Sequence, residues 1–351
     1  MAAAESPIDW RRAEQIATRI AGRHAEHATA GALDVSYMVP QLEDQIESTT
    51  GLRSLSGPAT VGVIDRPAWI EANISSFRHL IEPAIEQWAD KIPTTGVVAT
   101  ISGQIAGAEL GALLGWMSSR VLGQYDLLVG RDDLDDAVYM VGPNLAGLEK
   151  RFGFDPVEFR TWVLLHELTH RAQFTGVPWM REHFTELVNA SIRFANPDPH
   201  RIADAIRDAL TDRDRARQQV RDTGVFGLIA TPEQLEVIQQ IAGLMSLLEG
   251  HGDVTMSRAV GDLVPSAPRF AAVLQARRRR SNPLSRLMLR LTGIEGKLNQ
   301  YAAGERFIAA VEAHGGPRAI DVCWREPANL PSLEEIRNPQ LWIDRVGALV
   351  A

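Results

Sequence analysis

Two histidines four positions apart constrain the fold of this chain more than any other feature. His166 and His170 lie in the apolar stretch Val163–Phe174, with Glu167 between them. Residues four apart on an α-helix differ by about 40° in direction and about 6 Å in height, so both imidazoles project from one face and can reach one ion. Glu167 is offset from His166 by about 100°. The mostly uncharged flanks predict a helix buried behind a metal.

The His-Glu-x-x-His spacing is the pattern of zinc-dependent hydrolases. A catalytic zinc needs three protein ligands and an open position for water, so the two histidines require a partner. A metzincin would supply it as HExxHxxGxxH, but Gln173 and Gly176 stand where that glycine and last histidine belong. Arg171 is the one charged departure in the flank. The third ligand must therefore come from another segment.

Glu249 is the strongest candidate for the third ligand. The predicted helix that carries it has an apolar stripe that leads to Glu249, made of Ile238, Ile241, Ala242, Met245 and Leu248. A carboxylate on a buried face is costly unless it is paired or binds a metal. Asp253 follows one turn later, where it can accept a hydrogen bond from the outer nitrogen of a ligand imidazole. Glu182 and Glu186 are the alternative third ligands.

The remaining site residues follow from the chemistry of amide hydrolysis. Glu167 is the predicted general base for the attacking water. The carbonyl oxyanion needs a donor besides the metal, for which Tyr301 and His251 are candidates. His183 and His251 are more typical of surface or supporting positions than of primary ligands. Zincins commonly align a peptide along a strand edge, and the strand ending at Asn144 is the candidate here.

Helical periodicity over most of the chain predicts a mainly α fold with one small β-hairpin. The hairpin is predicted from the β-like runs 125–129 and 137–141, which the acidic turn 131–136 separates. Residues 48–67 are rich in Gly, Ser and Pro and are expected to form an irregular connection. Residues 200–222 are highly charged and predict a solvent-exposed helix.

Capping signals place the two helices of the site. Asp155, followed by a proline and then a glutamate, predicts the start of the histidine-bearing helix, which extends over about 156–175. Thr231 repeats this signal and opens the third-ligand helix, over about 232–256. We expect residues 1–351 to form one catalytic unit.

Four glycines recur at a spacing of four: Gly103, Gly107, Gly111 and Gly115. On a helix they form a smooth ridge that allows another helix to approach closely. The ridge supplies packing and no reactive group. The GxGxxG and GxxxxGK[ST] spacings of phosphate-binding loops are absent from the sequence.

Composition and charge argue against several other classes of protein. The net charge of -8 disfavours nucleic acid and anionic membranes as partners. Arg277–Arg280 is typical of a solvated patch. Cys323 is the one cysteine, which excludes an intrachain disulfide and a zinc site with several thiolates. Polar and charged residues interrupt the most apolar stretch, 94–123, which argues against a membrane span. The N-terminus shows no signal peptide, so we expect a cytoplasmic protein.

Several segments together resemble one known family. They are Asp9-Trp10, Gly123-Gln-Tyr-Asp126, Val141-Gly-Pro-Asn144, His166-Glu-Leu-Thr-His-Arg-Ala-Gln-Phe174, Ser246-Leu-Leu-Glu-Gly-His251 and Lys297-Leu-Asn-Gln-Tyr301. Over nearly its whole length the chain is similar to the actinobacterial and chloroflexal zincin-like zinc metalloproteases, which are often associated with biosynthesis of a deazaflavin coenzyme. The resemblance implies a mostly helical zincin-like fold and a zinc site. The Glu249 helix resembles the third-ligand helix of gluzincins, the thermolysin-like class.

Three interpretations remain open from the sequence. The first is a zinc metallopeptidase that acts on a peptide or protein substrate. The second is a zincin-like protein that binds a partner without turnover, and the third is a hydrolase of a small-molecule amide. Glu167 favours an enzyme, because a protein that only binds has no need for a general base. The sequence leaves the oligomeric state open.

Overall fold

The computed structural model describes residues 8–22, 33–88, 97–127, 136–193, 207, 211–212, 231–259, 261–279 and 294–346. Within these ranges the protein is mostly helical with one small sheet, which confirms the predicted fold class. The helices are α1 (Trp10–Gly22), α2 (Val39–Thr50), α3 (Arg66–Trp88), α4 (Val97–Ser118), α5 (Gly142–Phe152), α6 (Pro156–Gly176), α7 (Met180–Arg193), α8 (Pro232–Ala259), α9 (Ala267–Arg279), α10 (Ile294–Gly315), α11 (Leu333–Arg337) and α12 (Pro339–Val346). The strands are β1 (Thr60–Ile64), β2 (Gly123–Tyr125) and β3 (Ala137–Val141).

The chain divides into two compact units, each formed by several segments. The first unit consists of Met1–Gln45, Ser54–Arg171 and Val260–Phe270, and the second consists of Ile46–Arg53, Ala172–Ala259 and Ala271–Ala351. The single catalytic unit expected over residues 1–351 stays a prediction.

The sheet of the first unit has the strand order β1-β3-β2. The antiparallel pairing of β2 with β3 confirms the hairpin, but β2 occupies Gly123–Tyr125 rather than 125–129. β1 pairs parallel to β3, with Thr60 opposite Ala137. The expectation of an irregular connection over 48–67 was wrong at β1, because the surrounding Gly, Ser and Pro residues hide a short β-branched run. Residues 128–135, with most of the predicted acidic turn, lie outside the described ranges.

The glycine ridge of α4 packs against α1, as the spacing predicts. An ideal Cβ on each of three glycines would lie within 2.8 Å of a carbonyl oxygen of α1 or of Asp9 just before it: Gly107 near Asp9, Gly111 near Ala13 and Gly115 near Ala17. Such distances allow only a hydrogen at these positions, so the two helix backbones are in direct contact. Together with α3 they enclose the core around Trp10, Trp69 and Leu114.

The second unit is organised around α8. At Gly250 this helix meets α10 so closely that an ideal Cβ would lie 2.5 Å from the carbonyl carbon of Gly304. One turn further along α10, the buried Phe307 ring packs against Trp342 of α12 at a centroid distance of 5.4 Å. The Trp342 indole N–H donates to the Asn329 carbonyl at 2.8 Å. The contact of Gly250 with Gly304 holds the helix that carries Glu249 against α10.

No helix among the described residues is both long and apolar enough to cross a membrane. The charged helix expected over 200–222 lies outside the described ranges except at residues 207 and 211–212. The side chains of Arg277–Arg280 also lie outside the described part of the structure.

Candidate metal centre

Helix α6 carries the two histidines and begins where the sequence predicts. Asp155 Oδ1 accepts a hydrogen bond from the Glu158 N–H at 2.9 Å, and Pro156 occupies the first helical position. The apolar side of the helix is buried through Leu164, Leu165 and Leu168. His166 and His170 are half-buried on the other side. The helix therefore has one face set in the core and one face that presents two imidazoles.

The imidazoles of His166 and His170 converge on one point. Their Nε2 atoms lie 3.1 Å apart, and the ring planes meet at 82°. Two nitrogen ligands about 2.0–2.1 Å from a tetrahedral zinc ion are about 3.3 Å apart. The pair therefore fits two corners of a zinc tetrahedron.

Glu249 of α8 completes a group of three candidate metal ligands. One carboxylate oxygen of Glu249 and one ring nitrogen each of His166 and His170 all lie within 4.8 Å of one another. In the described part of the chain, no other three His, Cys, Asp or Glu side chains meet in this way, and the alternatives Glu182 and Glu186 are not in the group. Two imidazoles and one carboxylate are a common ligand set of catalytic zinc, so the residues fit this ion.

Gln173 fixes the backbone beside Glu249. Its amide nitrogen donates to the Leu248 carbonyl at 2.9 Å and lies 2.9 Å from His251 Nδ1. Gln173 stands where a metzincin has glycine, and in this chain its side chain binds the third-ligand helix instead. His251 is buried, and its ring packs edge-on against Trp324 at 5.1 Å. His251 lies two residues after Glu249, about 200° around α8, which argues against contact with substrate.

Glu167 lies against strand β2 and is buried. The Tyr125 N–H donates to Glu167 Oε2 at 3.0 Å. An ideal Cβ on Gly123 would lie 2.7 Å from Glu167 Cγ, so the carboxylate arm lies directly on the strand backbone. Sequence reasoning gave no role to Gly123 or Tyr125, although a glycine beside a β-like run was a signal of close approach.

Arg171, the charged departure in the histidine-bearing segment, is 2% exposed and fully engaged. Its Nε donates to Asp136 Oδ2 at 2.8 Å and its Nη1 donates to Glu43 Oε1 at 2.9 Å. Its Nη2 donates to the Gly57 carbonyl at 2.8 Å. The two carboxylates offset the cost of burying the guanidinium charge, and their distance in sequence hid them from sequence reasoning.

Asn144 is buried within α5 rather than exposed at a strand edge. Its amide nitrogen donates to the Ser118 and Val121 carbonyls at 2.7 and 2.6 Å, and its Oδ1 accepts from Arg66 Nε at 2.8 Å. β3 ends at Val141 and is the central strand, with its main chain paired on both sides. These contacts argue against the predicted substrate contact at Asn144, whose side chain holds the end of α4 in place.

The roles of Asp253 and Tyr301 stay predictions, as do those of the other site residues. Asp253 is half-buried one turn after Glu249. Tyr301 belongs to α10, and its side chain lies outside the described part of the structure. His183 packs its ring against Trp179 at 5.8 Å and is not in the metal group. Burial lowers the pKa of His183, so its neutral form is favoured.

Comparisons with known proteins show a likeness over nearly the whole chain. The sequence profile of a family described as zincin-like metallopeptidase matches residues 8–343. The crystal structure of "a putative hydrolase with a novel fold" from Chloroflexus aurantiacus is 33% identical, with a TM-score of 0.71, over 97% of this chain and 99% of that chain. The comparison with curated proteins gave no match. The chain therefore belongs to the zincin-like metallopeptidase family.

Proposed function

We propose that this protein is a zinc-dependent hydrolase of the gluzincin type that cleaves amide bonds in peptides. The observation that carries the proposal is the convergence of His166, His170 and Glu249 to within 4.8 Å. Two imidazoles and a carboxylate bind zinc with a fourth position open to water. Glu167, beside the histidines on α6, supplies the general base that such a site requires.

A zinc ion held by these residues would act as a Lewis acid, which makes water more acidic and polarises a carbonyl oxygen. The protein residues then perform the proton transfers. Glu167 accepts a proton from the attacking water and delivers it to the departing amine. The Tyr125 N–H keeps the carboxylate of Glu167 in a fixed orientation. Tyr301 is the proposed donor to the carbonyl oxyanion, because His251 is packed between Gln173 and Trp324.

The family assignment and the chemistry of the site support a peptide as the substrate. An amide carbonyl is the group on which a zinc ligand set and a carboxylate base act together. A small-molecule amide would use the same groups and remains the second candidate. Binding without turnover is less favoured, because Glu167 is held in place by two residues of β2 although it is not one of the three convergent ligands.

Metal analysis tests the ligand assignment. We expect one zinc per chain in the purified protein, and at least about 100-fold weaker zinc binding in Glu249→Gln and in His170→Ala. Gln preserves the size of Glu, so circular dichroism should show an intact fold. Glu182→Gln is the matched control and is expected to retain full zinc. Full zinc in Glu249→Gln would disprove the third ligand, and wild-type protein without zinc affinity would disprove the site.

A fluorogenic peptide library tests the reaction. Wild-type protein loaded with zinc is expected to cleave members of the library, and Glu167→Gln is expected to bind zinc normally but to lose at least about 100-fold in kcat. Equal cleavage by both proteins would remove Glu167 from the mechanism. If neither cleaves the peptide library, the peptidase assignment is wrong.

A further inference from the structure

The carboxylate of Glu167 receives its hydrogen bond from the outer edge of β2. Val141 N–H donates to the Leu122 carbonyl and Asp126 N–H donates to the Ala137 carbonyl, at 2.8 and 2.9 Å. Because main-chain groups alternate in direction along a strand, the N–H of Tyr125 points away from β3. It therefore donates to Glu167 at 3.0 Å without removing a hydrogen bond from the sheet.

Gly123 provides the second constraint on Glu167. An ideal Cβ at this position would lie 2.7 Å from Glu167 Cγ, 2.9 Å from Oε1 and 3.0 Å from Cδ. Gly123 has no positive φ, so its backbone conformation suits any residue. The reason for glycine here is therefore the space that the side chain of Glu167 occupies.

The side chain of Tyr125 connects the same strand back to α6. Its buried hydroxyl donates to Asp136 Oδ1 at 2.8 Å, and Asp136 Oδ2 accepts from Arg171 Nε at 2.8 Å. Arg171 lies four residues after Glu167, on the same face of α6. The contacts form a closed loop from Glu167 to β2, through Asp136, and back to the helix that carries Glu167.

The conformation of Asp136 is a further sign that this loop is constrained. Among the described residues, Asp136 is the one non-glycine residue with a positive φ, at 76°. Such a conformation is uncommon outside glycine and persists where surrounding contacts hold it. Here a tyrosine hydroxyl and a guanidinium bind the two carboxylate oxygens of Asp136.

We propose that Tyr125, Asp136 and Arg171, which we name the brace, are positioning residues for the general base. The brace fixes β2 against α6, so that the Tyr125 N–H and the backbone of Gly123 hold Glu167 in one orientation. A buried ionic network stabilises a fold less than apolar packing does. The function that remains for the brace is to position the carboxylate of Glu167. A general base must be held within about 0.5 Å of its working position, and the brace meets that need. This inference rests on the proposed function.

The first test asks whether Gly123 and Glu167 are in contact, with no need for activity. Gly123→Ala is expected to lower the melting temperature of the otherwise unchanged protein. In a protein that already carries Glu167→Ala, the new methyl group of Gly123→Ala has no carboxylate side chain to displace. The second substitution is therefore expected to leave the melting temperature unchanged. An equal loss in both backgrounds would overturn the contact and, with it, the proposal.

The second test measures turnover of the fluorogenic peptide library at saturating zinc. Gly123→Ala is expected to lower kcat by roughly 10- to 100-fold, and Tyr125→Phe, which removes one hydroxyl, by a smaller factor, with zinc content and KM unchanged. Gly147→Ala on the open surface of α5 and Tyr37→Phe at an exposed tyrosine are the matched controls and should keep full activity.

The outcomes separate this inference from the proposed function. Cleavage by wild-type protein with unchanged kcat in either Gly123→Ala or Tyr125→Phe would overturn the brace alone, whatever the melting temperature of that variant. Absence of cleavage by wild-type protein would overturn the proposed function and the inference together. A fall in kcat at constant KM and constant zinc content supports the brace. A merely structural role would lower the melting temperature without lowering kcat selectively.

Discussion

Replacing Gly111 by alanine is expected to destabilise the protein even though alanine favours helix formation. An added Cβ would lie 2.3 Å from the Ala13 carbonyl oxygen, 0.7 Å short of the 3.0 Å that real Cβ atoms respect. It would also lie 2.9 Å from the Cα of Ala13, so the backbone of α1 itself would have to move. Overpacking of this kind costs about 1–3 kcal/mol, while the gain in helix propensity is about 1 kcal/mol.

The cost should approach the upper end of that range, because a helix backbone cannot rotate aside as a side chain does. We therefore expect a net loss of about 1–2 kcal/mol in the free energy of unfolding for Gly111→Ala. Gly147→Ala is the matched control, since Gly147 lies in helix α5 with no atom within 4 Å of its ideal Cβ. That variant should gain about 0.5–1 kcal/mol from propensity alone. Urea unfolding of both variants and wild type measures the difference, and a stabilised Gly111→Ala would refute direct backbone contact between α1 and α4.

Three further predictions concern the metal and two buried carboxylates. Removal of zinc with a chelator is expected to lower the melting temperature, since a ligand at 100 times its Kd stabilises the folded state by about 2.7 kcal/mol; identical melting curves would contradict this. Arg160 and Glu149 form a buried bidentate pair, so Arg160→Met should cost about 3–5 kcal/mol, and adding Glu149→Leu should recover part of it in the same urea assay. Burial raises the pKa of Glu335, but hydrogen bonds from Arg345 and the helix N-cap outweigh burial and leave the pKa below its ordinary value of 4.5. The ionised carboxylate therefore stabilises the fold above pH 4.5, and this stability is lost as the pH falls through the lowered pKa. Glu335→Gln should be destabilised at neutral pH, with a deficit that shrinks in acid; a deficit independent of pH would contradict this.

The sequence by itself determined the features that depend on neighbouring residues. The spacing of His166 and His170 set the helix and the face from which both imidazoles project, and Asp155 marked where that helix begins. The recurrence of glycine on α4 predicted its close contact with another helix. Glu249 was accessible to the same reasoning as a candidate ligand, because a carboxylate on an apolar stripe conflicts with its local pattern.

Only the tertiary structure decided which distant segments meet around Glu167. Arg171 lies four residues after Glu167 on α6 and pairs with Glu43, which is 128 positions away in the chain. The Tyr125 N–H that holds Glu167 lies 42 positions away from it. The pairing of β1 likewise depends on a distant segment, since its partner is a strand more than 70 residues later. Helix periodicity and capping are written within a few residues, whereas such contacts depend on how whole elements pack, which no local pattern encodes.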